Sequence, residues 1–230
     1  MRTRCQSVAT MLRVAEPTRS TAAARCLIRV VQLAARASVR RDLARLSSRL
    51  GAPAPVAGAL LLAMACYSSK TQLGGLALGG LLAMVATLPT TMYIEHVLRR
   101  KGLMQRHLSR RSERLAPLAI ACVSVLMLVV LVRTIDASRE LQTVLLTMLF
   151  TLGLAFAATP VTRLSIHMAA IMGTIVVLQL QFGALGVALL PIAAIVGWSR
   201  LELGEHTLVQ VVSGATVGVL GASAAYALVG

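Results

Sequence analysis

From residue 53 onward the chain alternates long apolar runs with short polar clusters. The runs cover residues 53–69, 72–94, 115–132, 140–158, 164–180, 182–198 and 206–229. Each has, or nearly has, the ~20 residues a helix needs to cross a hydrocarbon core of about 30 Å. Apolar side chains follow one another without alternation, and lipid tolerates no open sheet edge, so the runs read as helices and not strands. The first run is short, and the fifth and sixth are joined tightly at residues 181–183, so the expected architecture is an all-α, polytopic transmembrane helix bundle with six or seven spans. Gly75 with Gly79, and Gly214 with Gly218, place small residues four apart, where they let helices approach closely.

One stretch breaks the apolar pattern. Residues 198–218 read W-S-R-L-E-L-G-E-H-T-L-V-Q-V-V-S-G-A-T-V-G, with Arg200, Glu202, Glu205 and His206 set between two apolar runs. Ionisable side chains at a membrane edge are costly, which makes them functional-site candidates by default. A loop whose charges are simply solvated is the alternative.

Composition supports the membrane reading. With 57% hydrophobic and 13% charged residues, and a mean hydropathy of +0.79, the chain falls outside the range of soluble globular domains. The formal charge of +15 has a separate origin, because most of the Lys and Arg lie before the first run or in residues 99–114. Such placement suits anionic lipid headgroups, and aromatic residues are too sparse for a nucleic-acid stacking surface. Membrane lipids are therefore the expected partners, with no nucleic acid. Cys5, Cys26, Cys66 and Cys122 have no C-x-x-C spacing, and two lie inside apolar runs, so neither a metal site nor a disulfide framework is suggested.

Residues 1–52 form a distinct basic segment ahead of the transmembrane domain, 53–230. It is rich in Arg, Ala, Ser and Thr, with Arg36, Arg40, Arg45 and Arg49 at roughly helical spacing. Three readings fit: an organellar transit peptide, an amphipathic helix on an anionic membrane surface, or a poorly ordered extension. With seven spans, this segment, the 99–114 loop, Arg163 and the Arg200 loop share one side, which the charge bias makes cytoplasmic.

Three polar clusters then meet at one membrane face: the bases of residues 99–114; Arg163, Ser165 and His167; and Arg200, His206 and Gln210. A cationic pocket with two histidines and almost no carboxylates suits a phosphate ester, whose nonbridging oxygens arginine holds through two parallel hydrogen bonds. Ser165 and His206 stand at expected helix N-termini, where free N–H groups and the helix dipole attract an anion.

The residues here resemble a known family. Ser199-Arg200, five residues, His206, three residues and Gln210 is similar to the third signature, S-R-x5-H-x3-D, of the type 2 phosphatidic acid phosphatase superfamily, whose fold is shared with vanadium haloperoxidases. Leu203-Gly204 before the histidine, Thr207 after it, and Val211 through Gly214 also fit. Ser165-Ile166-His167 resembles the second signature, P-S-G-H, with two spans between it and the third. Departures accompany the match. Leu164 and Ile166 replace the proline and glycine, Gln210 replaces the aspartate, and the first signature, K-x6-R-P, has no exact match because Leu108 stands seven residues after Lys101, although residues 107–114 are similar to a variant of it in bacterial branches of the family.

The resemblance implies a metal-independent hydrolase, without cofactor, acting on a lipid phosphate: phosphatidic acid, phosphatidylglycerol phosphate or an isoprenyl diphosphate. His206, oriented by Gln210, would attack phosphorus, and His167 would protonate the departing alcohol and later activate water. Arg200 and Ser165, with Lys101, Arg110 and Arg111, would bind phosphate. A catalytically impaired relative that binds lipid phosphates, or a membrane scaffold, is the alternative that Ile166 and Gln210 favour.

Overall fold

The computed structural model describes residues 37–100 and 111–229, the side chains of residues 111–114 excepted. Contacts divide the chain after Leu43 into two units, and the helix bundle belongs to the unit that begins at Ala44. Among the described residues every regular element is a helix. The helices are α1 (Ala37–Leu50), α2 (Pro53–Ser68), α3 (Gln72–Arg100), α4 (Arg111–Thr134), α5 (Arg139–Ala158), α6 (Ile166–Phe182), the single-turn α7 (Ala184–Ala188), α8 (Leu190–Glu202) and α9 (Leu208–Val229).

Local chemistry explains most boundaries. Proline opens α2, where its missing N–H costs nothing. Ser138 caps α5 by accepting from Leu141 N–H, with Glu140 in the first turn on the favourable side of the helix dipole. The tight junction after α6 is Gly183, whose φ of +62° suits a residue without Cβ. Past it the chain forms α7 and, after Leu189, α8 with a proline in its first turn.

Among the described residues five segments are long and apolar enough to cross a membrane: α3, residues 115–134 of α4, α5, α7 with α8, and α9. A sixth is added if α1 and α2 count as one bent span. The chain thus has the several long apolar helices of an integral, multi-pass membrane protein. At six the count meets the lower of the two expected, and α2 and α6, with 16 and 17 residues, are each short of a full crossing at 1.5 Å per residue. Large apolar side chains such as Leu73, Met84, Met127, Val130, Val212 and Leu228 are exposed along the outer faces, as bilayer-facing side chains are.

The short helix α6 is central: it packs most extensively on α9 and also touches α2, α5 and α8. Glycines on α9 allow this. A Cβ at Gly214 would overlap the Ser165 carbonyl oxygen, and one at Gly218 the Ala169 carbonyl oxygen. Gly75 and Gly79 do the same for α3 on α2, where added Cβ atoms would lie 2.6 Å from Cys66 Cα and 2.8 Å from Leu62 Cα. The small-residue spacings therefore mark real helix contacts. The largest buried cluster joins Leu61, Met64, Leu82, Val125, Val144 and Leu145 from α2 to α5.

Candidate functional site

Arg200 lies in the last turn of α8, on the side of the helix dipole that favours a cation. The helix ends in a Schellman reversal: Glu205 N–H donates to Arg200 C=O at 3.2 Å and Gly204 N–H to Leu201 C=O at 3.0 Å. Gly204 has a φ of +67°, which a side chain would strain. His206 N–H also donates to Arg200 C=O, at 3.3 Å, so the histidine folds back over the arginine.

The chain then enters α9 through a capping box. Thr207 Oγ1 accepts from Gln210 N–H at 3.4 Å, and Gln210 Oε1 accepts from Thr207 N–H at 3.3 Å. His206 therefore stands two residues ahead of the first helical residue of α9, and Thr207 is the cap. The same Gln210 Oε1 lies 3.0 Å from His206 Nδ1. A backbone N–H only donates, so the atom facing Thr207 is the amide oxygen. His206 must then carry a proton on Nδ1 to donate to that oxygen.

The start of α6 docks on the start of α9. Ser165 N–H donates to Gln210 C=O at 3.0 Å, which joins the two segments that carry the resemblance. Ser165, expected to bind phosphate, is fully buried, and its Oγ accepts from Met168 N–H as the helix cap. Its neighbours Leu164, Ile166 and His167 face a cavity of about 400 Å³ together with Arg200 and His206. The rest of the wall is mainly apolar and comes from the start of α2 and from α3 to α5, with Ala57, Ala86, Ala121, Met148 and Leu152 among the lining residues. Thr87, Thr90 and Thr91 add hydroxyls on α3; two of these bond back to the helix, Thr87 to Ala83 C=O and Thr91 to Leu88 C=O.

Arg200 is buried, and Ser48 and Glu205 hold it. Nη1 donates to Ser48 Oγ of α1 at 2.6 Å, and Nη2 pairs with the Glu205 carboxylate. The sequence pointed to a site almost without carboxylates; instead an acid sits directly on its buried cation, because the Schellman reversal returns Glu205 to the helix end. Ser48 carries no local signal, since 152 residues separate it from Arg200.

Lys101 and Arg110 lie outside the described residues, and so does the Arg111 side chain, although Arg111 opens α4. Arg163 is exposed ahead of α6. No family model, no curated protein and no solved structure matches the chain.

Proposed function

We propose that the chain is a membrane-embedded lipid phosphate phosphatase, a divergent relative of the type 2 phosphatidic acid phosphatases with a bundle of that kind. The observation that carries the reading is a cavity that has His167, Arg200 and His206 in its wall and apolar side chains over most of the remainder. A lipid phosphate has the matching form, an anionic head on an apolar chain.

In this reading Arg200 binds nonbridging oxygens, and His206 Nε2 attacks phosphorus in line. The bond from phosphorus to the lipid oxygen breaks, and protonated His167 gives that oxygen its proton. His167, now neutral, takes a proton from water, whose oxygen attacks the phosphohistidine; inorganic phosphate leaves and both imidazoles are restored. Gln210 sets the His206 tautomer, and Ser165 positions the start of α6. Lys101, Arg110 and Arg111 are assigned as further phosphate ligands by their charge and by the resemblance. The substrate is phosphatidic acid, phosphatidylglycerol phosphate or an isoprenyl diphosphate, reached from the bilayer face that the charge bias makes cytoplasmic.

The test is phosphate release from these lipids by purified full-length protein in chelator. His206→Ala is expected to lower the rate at least about a thousandfold. Equal release by both proteins, or none by the wild type, refutes the reading. Binding without turnover is a second reading, favoured by Ile166, whose β-branched side chain lines the cavity where the family has glycine. It predicts that phosphate binds and that no lipid is hydrolysed.

A further inference from the structure

Arg200, the one arginine or lysine among the described residues that line the cavity, already holds an anion. Arg200 and Glu205 form an ion pair in which the guanidinium side chain is 7% exposed and the carboxylate side chain 19% exposed. The arginine is further tied to Ser48, and the turn that carries the glutamate is closed by backbone hydrogen bonds that do not involve its carboxylate. Pairing of this kind adds little net stability, because the desolvation of both charges offsets their attraction. The α8–α9 junction has its own fastening in the Schellman reversal and the capping box, so the pair is not what holds the turn.

We infer that Glu205 is an internal placeholder for phosphate: it neutralises Arg200 in the empty site and swings toward water when a phosphate dianion takes the guanidinium. The inference rests on the phosphate site proposed above and concerns what that site selects. In a bilayer the cavity is surrounded by phosphodiester lipids at far higher concentration than any phosphomonoester. A phosphodiester carries one negative charge, as the carboxylate does, and gains nothing in charge by replacing it. A phosphomonoester dianion brings two charges and three terminal oxygens to the same edge, so exchange favours it. The acid thus discriminates by raising the cost of the wrong ligand as well as the right one. It also returns to Arg200 once inorganic phosphate leaves, so product does not remain bound.

The test compares wild type with Glu205→Gln, which keeps an oxygen for the guanidinium but removes the charge. Full-length proteins in uncharged detergent micelles are titrated with inorganic phosphate, and the titration is repeated in micelles that contain phosphatidylglycerol. Glu205→Gln is expected to bind phosphate about tenfold more tightly, the factor that applies if the carboxylate leaves Arg200 about 10% of the time. Phosphatidylglycerol is expected to compete with phosphate in the variant and not in the wild type. Equal affinity in both proteins removes Glu205 from this role and leaves the phosphate site standing. Weaker binding by the variant also overturns the inference, because it makes Glu205 a support for Arg200. Absence of phosphate binding in both removes the site and the inference together. If Glu205→Gln does not unfold cooperatively, Glu205→Asp decides: the shorter acid reaches Arg200 less well, and phosphate binding tighter than wild type is expected, with unchanged or weaker binding refuting the placeholder.

Discussion

Replacing Gln210 by methionine keeps the length of the side chain and removes one oxygen with two tasks. Oε1 accepts from Thr207 N–H at 3.3 Å and lies 3.0 Å from His206 Nδ1. Two hydrogen bonds at about 0.5–1.5 kcal/mol each put the stability loss near 1–3 kcal/mol. In the proposed reaction the catalytic effect is larger, because without the acceptor the imidazole proton is free to move to Nε2 and block the lone pair that would attack phosphorus. Loss of the orienting acceptor in the serine-protease template costs about 10⁴-fold, so a fall of about 10² to 10⁴-fold in kcat is expected here. Gln210→Glu is the informative counterpart. Glutamate preserves the capping box and adds the charge that aspartate supplies in the signature this stretch resembles. Hydrogen bonds to a charged partner exceed neutral ones by about 1–1.5 kcal/mol, which corresponds to a rate up to about tenfold above wild type. Phosphate release gives the rates, and the ¹⁵N shifts of His206 report the tautomer in the resting protein whether or not it turns over. Gln210→Met within threefold of wild type, or a wild-type His206 protonated on Nε2, refutes the role given to Gln210.

Two further substitutions test the frame and the cavity. Gly214→Ala would drive a methyl group into the Ser165 carbonyl and force α6 and α9 apart, with an expected loss of about 2–3 kcal/mol in detergent unfolding. Gly153→Ala on α5, where an added Cβ meets nothing within 4 Å, should instead be neutral or more stable by about 0.5–1 kcal/mol. Ala57→Phe fills part of the cavity wall contributed by α2. It is expected to raise KM for a long-chain lipid phosphate about tenfold and to leave a short-chain phosphate unchanged, a split that equal effects on both substrates would contradict.

How far the molecule could be read from its sequence depended on whether the governing interactions are local. The Thr207 to Gln210 spacing is that of a capping box, and Leu203-Gly204 after an arginine-bearing helix end is that of a Schellman reversal; both form within a few residues. Gly214 and Gly218 announced close packing, though not that the neighbour would be α6. Gln210 stood out as a departure from an aspartate, and the structure supplies a reason for the amide: it is the reciprocal partner in the box. Ile166 also has a place, against Leu118, Ala155 and Leu164 in a small apolar cluster beside the cavity. What escaped were contacts made across the fold. Nothing near Ser48 marks it as the partner of Arg200, and Glu205 looked no different from Glu202 until the turn returned it to the helix end. Hydropathy likewise could not show that α6, one of the most apolar runs, is the central helix.

The position of the polar groups follows from the solvent. In a hydrocarbon core each backbone N–H and C=O must be satisfied inside its helix, so departures from helical bonding are tolerated only at helix ends or in protein-lined cavities. The start of α6 shows how this shapes the site. Ser165 N–H lies ahead of the α6 ladder, and it is satisfied by the Gln210 carbonyl of a different helix. That bond requires two backbones in contact, and Gly214, one turn further along α9, is what permits the approach. His206 and Gln210 on one stretch of chain, and Ser165 and His167 on the other, are therefore brought together by a glycine that has no chemistry of its own. A side chain at position 214 should damage the relation between the two histidines before it damages either helix, so loss of turnover should precede loss of helical content as the substituent grows from alanine to valine.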